Sequence, residues 1–221
     1  MNRLFVTSTG TDIGKTHVSA LILRQLKAKG LNPLGLKPVL SGYDDDSLEG
    51  SDPARLIEAL GEVPTAEDIA SIAPWRFRAP LSPDMAARAE GRTLPYDEMV
   101  AFCAETAARH EGPLLVEGVG GVMVPLDDRH TVLDWVADLE FPAVLVAGTY
   151  LGTISHTLTA LAVLEARGVP VRAVILSETE GSGVSTAETV ATLRRFTKAD
   201  IRVVPRGGED KAPDLTDLLT G

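Results

Sequence analysis

Residues 7–16, Thr-Ser-Thr-Gly-Thr-Asp-Ile-Gly-Lys-Thr, lie between the apolar run Leu4-Phe5-Val6 and a segment in which Val18, Leu21, Ile22 and Leu26 share one helical face. The order strand, small-residue loop, helix leaves few folds open. It turns successive backbone N–H groups and a helix N-terminus toward one point, which suits a polyphosphate. In that setting the Lys15 ammonium reaches the β- and γ-phosphates and the Thr16 hydroxyl faces magnesium. The spacing departs from the standard phosphate loop, whose first glycine stands where this chain has Thr9, one place before Gly10. A glycine-containing turn followed by a solvated lysine is the plainer alternative. The placement of Gly-Lys-Thr at a strand-to-helix junction favours phosphate.

The rest of the chain repeats the strand-helix theme. Pro33 to Val39 reads as a short strand ending in Lys37-Pro38. A polar loop over residues 41–52 leads into a helix near Pro53 to Leu60, and proline in the first turn supports a start at Asp52 or Pro53. Residues 61–95 carry five prolines, which points to irregular structure with short helices. A helix from about Tyr96 to Arg109 precedes Leu114 to Glu117. Val132, Trp135, Val136 and Leu139 share a helical face, and Ala143 to Val146 reads as a buried strand. There follow a helix from about Thr153 to Ala166, a strand over Val171 to Leu176, a helix over roughly Thr186 to Phe196, and a strand over Ile201 to Val204.

Continuously apolar strands alternating with helices imply an α/β fold with a mostly parallel central sheet covered by helices on both faces. This is a three-layer arrangement like that of the P-loop NTPases, and 221 residues suit one domain spanning 1–221. Ligands of such sheets sit at the carboxyl ends of the strands. That rule places Thr7 to Thr16, Lys37 to Ser41, Glu117 to Gly121 and Gly148 to Thr153 on one rim.

Composition narrows the partners. A formal charge of −10 opposes general affinity for nucleic acid or anionic membranes, while leaving room for a local cationic pocket. The single cysteine excludes an internal disulfide. Cys103 falls on the apolar face of Tyr96, Met99, Val100 and Ala107, as a small core residue does. The chain enters a strand at once, without a charged-then-apolar leader, and no apolar run approaches a membrane span; a cytoplasmic protein is expected. His17, His110, His130 and His156 lack metal-ligand spacing.

Three rim residues carry the chemistry. Glu117 ends an apolar strand and opens Glu-Gly-Val-Gly-Gly; it suits a magnesium ligand beside a phosphate loop, or a surface residue before a glycine turn. Asp52 suits a second metal carboxylate or a helix N-cap. Lys37 at a buried strand end needs an anion, unless it snorkels to the edge. Asp44, Asp45 and Asp46 read as a solvated run.

Five segments in order, Gly-Thr-Asp-Ile-Gly-Lys-Thr, Lys-Pro-Val-Leu-Ser-Gly, Leu-Ser-Pro-Asp-Met-Ala-Ala, Val-Glu-Gly-Val-Gly-Gly and Leu-Gly-Thr-Ile-Ser-His, closely resemble the dethiobiotin synthetase family of biotin biosynthesis, from about Leu4 to Pro205. The resemblance implies a cyclo-ligase that forms C–N bonds. It takes 7,8-diaminononanoate (7,8-diaminopelargonate), CO2 and MgATP to dethiobiotin, ADP and phosphate, through a carbamate and a carbamic–phosphoric anhydride.

By the same resemblance Asp12, Ile13, Gly14, Lys15, Thr16 and His17 wrap the triphosphate, and Thr16, Asp52 and Glu117 hold Mg2+. Lys37 and Lys15 act in catalysis, and Ser41 contacts substrate. Glu117, Gly118, Val119 and Gly120 line metal and nucleotide, and Ser177, Glu178 and Pro205 lie at the base. The resemblance also implies a homodimer with sites near its interface. In it Gly152, Thr153, Ile154 and Ser155 of the partner open a helix whose amides hold the substrate carboxylate.

Two residues depart from the family pattern. Ser8 stands where the phosphate loop usually begins with glycine, and Ser177 aligns with an asparagine that reads adenine. Serine lacks the paired amide contact, so relaxed base preference is expected. Two rivals share the phosphate loop. Amidotransferases acting on corrinoid acids add a glutaminase domain for which this chain is too short. Switch ATPases that partition DNA or position division proteins carry a further lysine early in the loop, and no lysine precedes Lys15.

Overall fold

The computed structural model describes residues 2–44, 48–207 and 211–220. Its centre is β1 (Arg3–Ser8), whose residues from Leu4 onward are buried, as the apolar run requires. β1 pairs in parallel with β5 (Leu114–Glu117) on one side and β6 (Ala143–Gly148) on the other. Outside β5 lies β2 (Leu34–Leu36); outside β6 lie β7 (Val171–Ser177) and β8 (Ile201–Val204). All the pairings are parallel, and the sheet order is β2-β5-β1-β6-β7-β8.

Parallel crossovers are right-handed. A chain that leaves β1 toward β2 and later runs from β6 toward β7 therefore deposits α1 (Lys15–Ala28) and α7 (Thr153–Ala166) on opposite faces. The order reverses at β1, so the crevice at its carboxyl end is the expected ligand site. Packing holds the frame. α6 (Val132–Leu139) sets the buried Trp135 edge-on against Phe5, with ring centroids 4.9 Å apart, a pairing worth about 1 kcal/mol beyond the area it buries. The end of the chain returns to α1. Gln25 bonds Pro213 and Leu215, and Leu215, Leu218 and Leu219 are buried, the last two in the short α9 (Asp217–Thr220).

Most elements match the sequence-based bounds: α5 (Tyr96–Arg109), α7, α8 (Thr186–Phe196) and β8 coincide with them. The strand expected over residues 33–39 does not form as one piece. β2 stops at Leu36, Lys37-Pro38 turns, and β3 (Val39–Ser41) pairs with β4 (Trp75–Phe77) in a separate two-stranded sheet. Pro38 has no N–H to continue a ladder, and the Lys37 N–H donates to Ile72 instead, at 3.0 Å. The 61–95 region holds the expected short helices, α3 (Ala66–Ile72) and α4 (Pro83–Ala89), and adds the unexpected strand β4. A three-residue strand is too short to show a period. α2 (Asp52–Ala59) starts at Asp52, but its cap is Ser51, whose Oγ accepts from the Ala54 N–H. That removes the capping alternative for Asp52. Among the described residues no helix is long and apolar enough to cross a membrane.

Candidate active site

β2, β5 and β1 are consecutive in the sheet, so their carboxyl ends bring Lys37, Glu117 and the phosphate loop side by side. They open on a cavity of about 700 Å³ lined by loop residues 11–17, Lys37, Ser41, Asp52, Val119 and Gly120. The loop is shaped by its backbone. Asp12 has φ 56° and Gly14 has φ 97°. A Cβ on Gly14 would lie 2.5 Å from the Ser177 Oγ, so glycine is required there on two counts. Gly14 also begins α1, and no side chain caps that end. The first-turn amides are left for an anion.

Lys15 is buried under this loop, with Nζ 3.3 Å from Ser8 Oγ and 3.4 Å from the Gly10 carbonyl. Burial, followed by the positive charge of Lys37, lowers its pKa to about 8. Ser8, the residue in place of the family glycine, makes itself useful as a brace. Its Oγ lies 2.6 Å from the Gly10 carbonyl and 3.0 Å from that of Gly120, tying the loop to the glycine turn after β5.

Beside Lys15 lies a buried cluster of opposite charges. Lys37, 2% exposed, donates to Glu117 Oε1 at 2.6 Å, to the Gly118 carbonyl at 3.0 Å and to Asp52 Oδ2 at 2.9 Å. The Thr16 Oγ1 sits 2.8 Å from both Asp52 Oδ1 and Glu117 Oε1. Burial alone would lower the pKa of Lys37, but the Glu117 and Asp52 carboxylates outweigh it and hold the group above its ordinary value. Burial would likewise raise Asp52, yet Lys37 and the hydrogen bonds from Lys37 and Thr16 keep it below the usual carboxylate range. Glu117 has no exposed surface and Lys37 points inward, which disposes of the surface-turn and snorkelling alternatives.

Two buried oxygens here lack any partner among the described residues, Glu117 Oε2 in the cluster and Ser41 Oγ in the cavity wall. A hydroxyl and two carboxylates with a spare oxygen fit Mg2+, which takes one or two carboxylates and completes its shell with phosphate and water.

Other expected residues are placed differently. Gly118 packs where a Cβ would meet the Phe5 ring at 2.9 Å, so it serves the close approach of β5 to β1 rather than lining the cavity. Ser177 lies under the phosphate loop. Glu178 and Pro205 are outside the lining, and the Glu178 carboxylate accepts from Thr186 Oγ1 and the Arg206 N–H. Gly152, Thr153, Ile154 and Ser155 also lie outside it. Thr153 is buried and donates to the Gly148 carbonyl at 2.6 Å, while Gly152 and Ser155 are exposed at the uncapped start of α7. A second cavity of about 480 Å³ joins the phosphate loop and residues 121–125 to α7, and shares Thr11 and Val124 with the first. Of the aspartate run, Asp44 is exposed; Asp45 and Asp46 lie outside the described residues.

Sequence reasoning missed Arg55, Tyr43 and Ser82, all of which line the main cavity. Arg55 stands three positions after Asp52 on α2, a spacing that shares a face and was available as a signal. Ser82 lies in the Leu-Ser-Pro-Asp segment and donates to Asp84. Tyr43 carries no local signal; it reaches the site because β3 leaves the main sheet.

Comparison with known proteins agrees with this geometry. A family model described as an AAA domain matches residues 2–207. The ATP-dependent dethiobiotin synthetase BioD of Caulobacter vibrioides is 47% identical over 221 residues, covering 99% of each chain. That of Acidiphilium cryptum is 48% identical over 196 residues, covering 88% of each. Among solved structures, the MinC:MinD cell division complex of Aquifex aeolicus superposes with a TM-score of 0.56 at 14% identity, covering 98% of this chain and 84% of that one. At that identity the likeness concerns the fold alone.

Proposed function

This chain belongs to the dethiobiotin synthetase family, and from that premise we propose how its residues divide the work of ATP-dependent ring closure. The reaction joins CO2 to a vicinal diamine, 7,8-diaminononanoate, and spends ATP to close the ureido ring of dethiobiotin. One amine loses a proton and adds to CO2, giving a carbamate. A carbamate oxygen attacks the γ-phosphorus, and ADP leaves. The second amine then attacks the carbamoyl carbon, the ring closes and phosphate departs with the C–O electron pair. Phosphorylation is needed because a carbamate oxygen is otherwise a poor leaving group.

In our reading the amides of residues 12–17 and the Lys15 ammonium hold the β- and γ-phosphates. Lys37 balances the charge that accumulates as the carbamate oxygen meets the phosphoryl group, the kind of preorganised stabilisation that acts mainly in the transition state. Ser41, with its unpartnered Oγ, orients the carbamate. Thr16, Asp52 and Glu117 would hold Mg2+, which when bound shields the phosphate charge. Residues 1–221 work as one ligase domain. The start of α7, exposed on its own chain, supplies the substrate carboxylate site to a second copy, so the working unit is a homodimer.

The observation that carries this reading is the meeting of Lys15, Lys37, Asp52 and the unpartnered Ser41 Oγ at one cavity, with the buried Glu117 carboxylate directly behind Lys37 and Thr16. Incubation with diaminononanoate, bicarbonate and MgATP should yield dethiobiotin by mass spectrometry. ATP hydrolysis without that product would overturn it.

A further inference from the structure

An ammonium has three N–H donors. In this structure all three of Lys37 are spoken for, by Glu117 Oε1, Asp52 Oδ2 and the Gly118 carbonyl. A lysine held this way has no hydrogen left for a carbamate or a γ-phosphate. It also stands on the very carboxylates that, with Thr16, make up the proposed metal set. Of the two carboxylates Glu117 is fully buried and Asp52 partly so, and Glu117 above all needs a cation at all times, because an uncompensated buried charge is strongly destabilising.

We propose that Lys37 is an internal stand-in for the divalent cation, and that arrival of the metal–nucleotide complex displaces it from Asp52 and Glu117 and so frees it to face the carbamate. The inference rests on the metal set named above and extends it to an order of events: metal first, lysine second. The Thr16 hydroxyl takes part in the same exchange. In the absence of metal its proton can serve only one of the two carboxylates at a time, and a metal ligand must instead offer its lone pair. The arrangement keeps the phosphoryl-transfer lysine occupied until the nucleotide is bound with its metal.

Two measurements test this. In protein carrying 15N-lysine, the Lys37 Nζ resonance, assigned by its absence in Lys37→Arg, should stay in place with metal-free ADP. It should shift and exchange faster with Mg·ADP; a resonance unmoved by Mg·ADP overturns the proposal. In a Mn2+ titration followed by electron paramagnetic resonance with ADP present, Lys37→Met should bind Mn2+ more tightly, by roughly 5- to 150-fold, the usual range of coupling between two competing ligands. Equal or weaker binding in that variant overturns it too. Asp52→Asn and Glu117→Gln in the same titration separate the two ideas. If neither weakens Mn2+, the metal set itself is wrong and both readings fall. If both weaken it while the Lys37 resonance stays still, only the exchange is wrong.

Discussion

α1 and α7 begin alike and end up in different circumstances. Each starts on a glycine with positive φ, 97° at Gly14 and 100° at Gly152, and neither has a side-chain cap. Each follows a central strand of the sheet. The start of α1 is roofed by its own chain, with Lys15 and Thr16 buried and the Glu117 and Asp52 carboxylates opposite. The start of α7 is bare: Leu151 is 91% exposed, and Gly152 and Ser155 are exposed with it. An uncapped helix end with its own chain's charged groups beside it is already furnished, whereas one open to solvent leaves its first-turn amides to water or to a ligand. In the homodimer proposed above, that contrast assigns the phosphoryl chemistry to one chain and the substrate's far end to a second.

The largest expected effect falls on the α1 side. Lys37→Gln should lower kcat by about 10²- to 10³-fold with ATP affinity little changed, as for removal of a transition-state donor. Wild-type turnover in steady-state kinetics would remove Lys37 from the mechanism. The contrast is broken or sharpened by pairing this variant with one at α7. Gly152→Ala forces a Cβ into a positive-φ backbone, at about 1–2 kcal/mol, and should raise the KM for the diamine roughly tenfold while leaving that for ATP alone. Mixed dimers of Lys37→Gln and Gly152→Ala chains should then regain activity, since each of them contains one intact composite site. No regain on mixing would mean that α7 serves its own chain.

A comparable effect is expected from pH. Lys15 is held near 8 by burial and by Lys37. A bound polyphosphate favours its charged form and raises the value, so nucleotide binding takes up a proton above that pH. Affinity should fall about fivefold between pH 8 and pH 9. Calorimetry in buffers of different ionisation enthalpy should detect the proton, and a pH-independent affinity over that interval would refute the assignment. The smallest effect concerns the base. With Ser177 tucked against Gly14 and Glu178 occupied by Thr186 and Arg206, kcat/KM for GTP and CTP should come within about tenfold of that for ATP, a discrimination of little over one hydrogen bond. A much stronger ATP preference would show that other groups read adenine.

Legibility followed length and locality. α5, α7 and α8 were readable because eleven or more residues display a helical period. β3, β4 and α9 were not, being three or four residues long. At the site, Lys15, Thr16, Glu117 and Lys37 stood out individually through motif position. Arg55 was passed over although its i+3 spacing from Asp52 marked it, and Tyr43 because nothing near it in the chain marks it as a pocket residue.

Residue order by itself determined the alternating strands and helices, the parallel sheet and the phosphate loop, because each is written in spacings of two to four residues. Only the tertiary structure decided that Ser51 rather than Asp52 caps α2, that Ser8 braces the loop, and that Lys37 lies on Glu117, 80 residues away. Such contacts depend on which strands become neighbours. The order β2-β5-β1 that joins them is a property of the packed sheet, carried by no single segment.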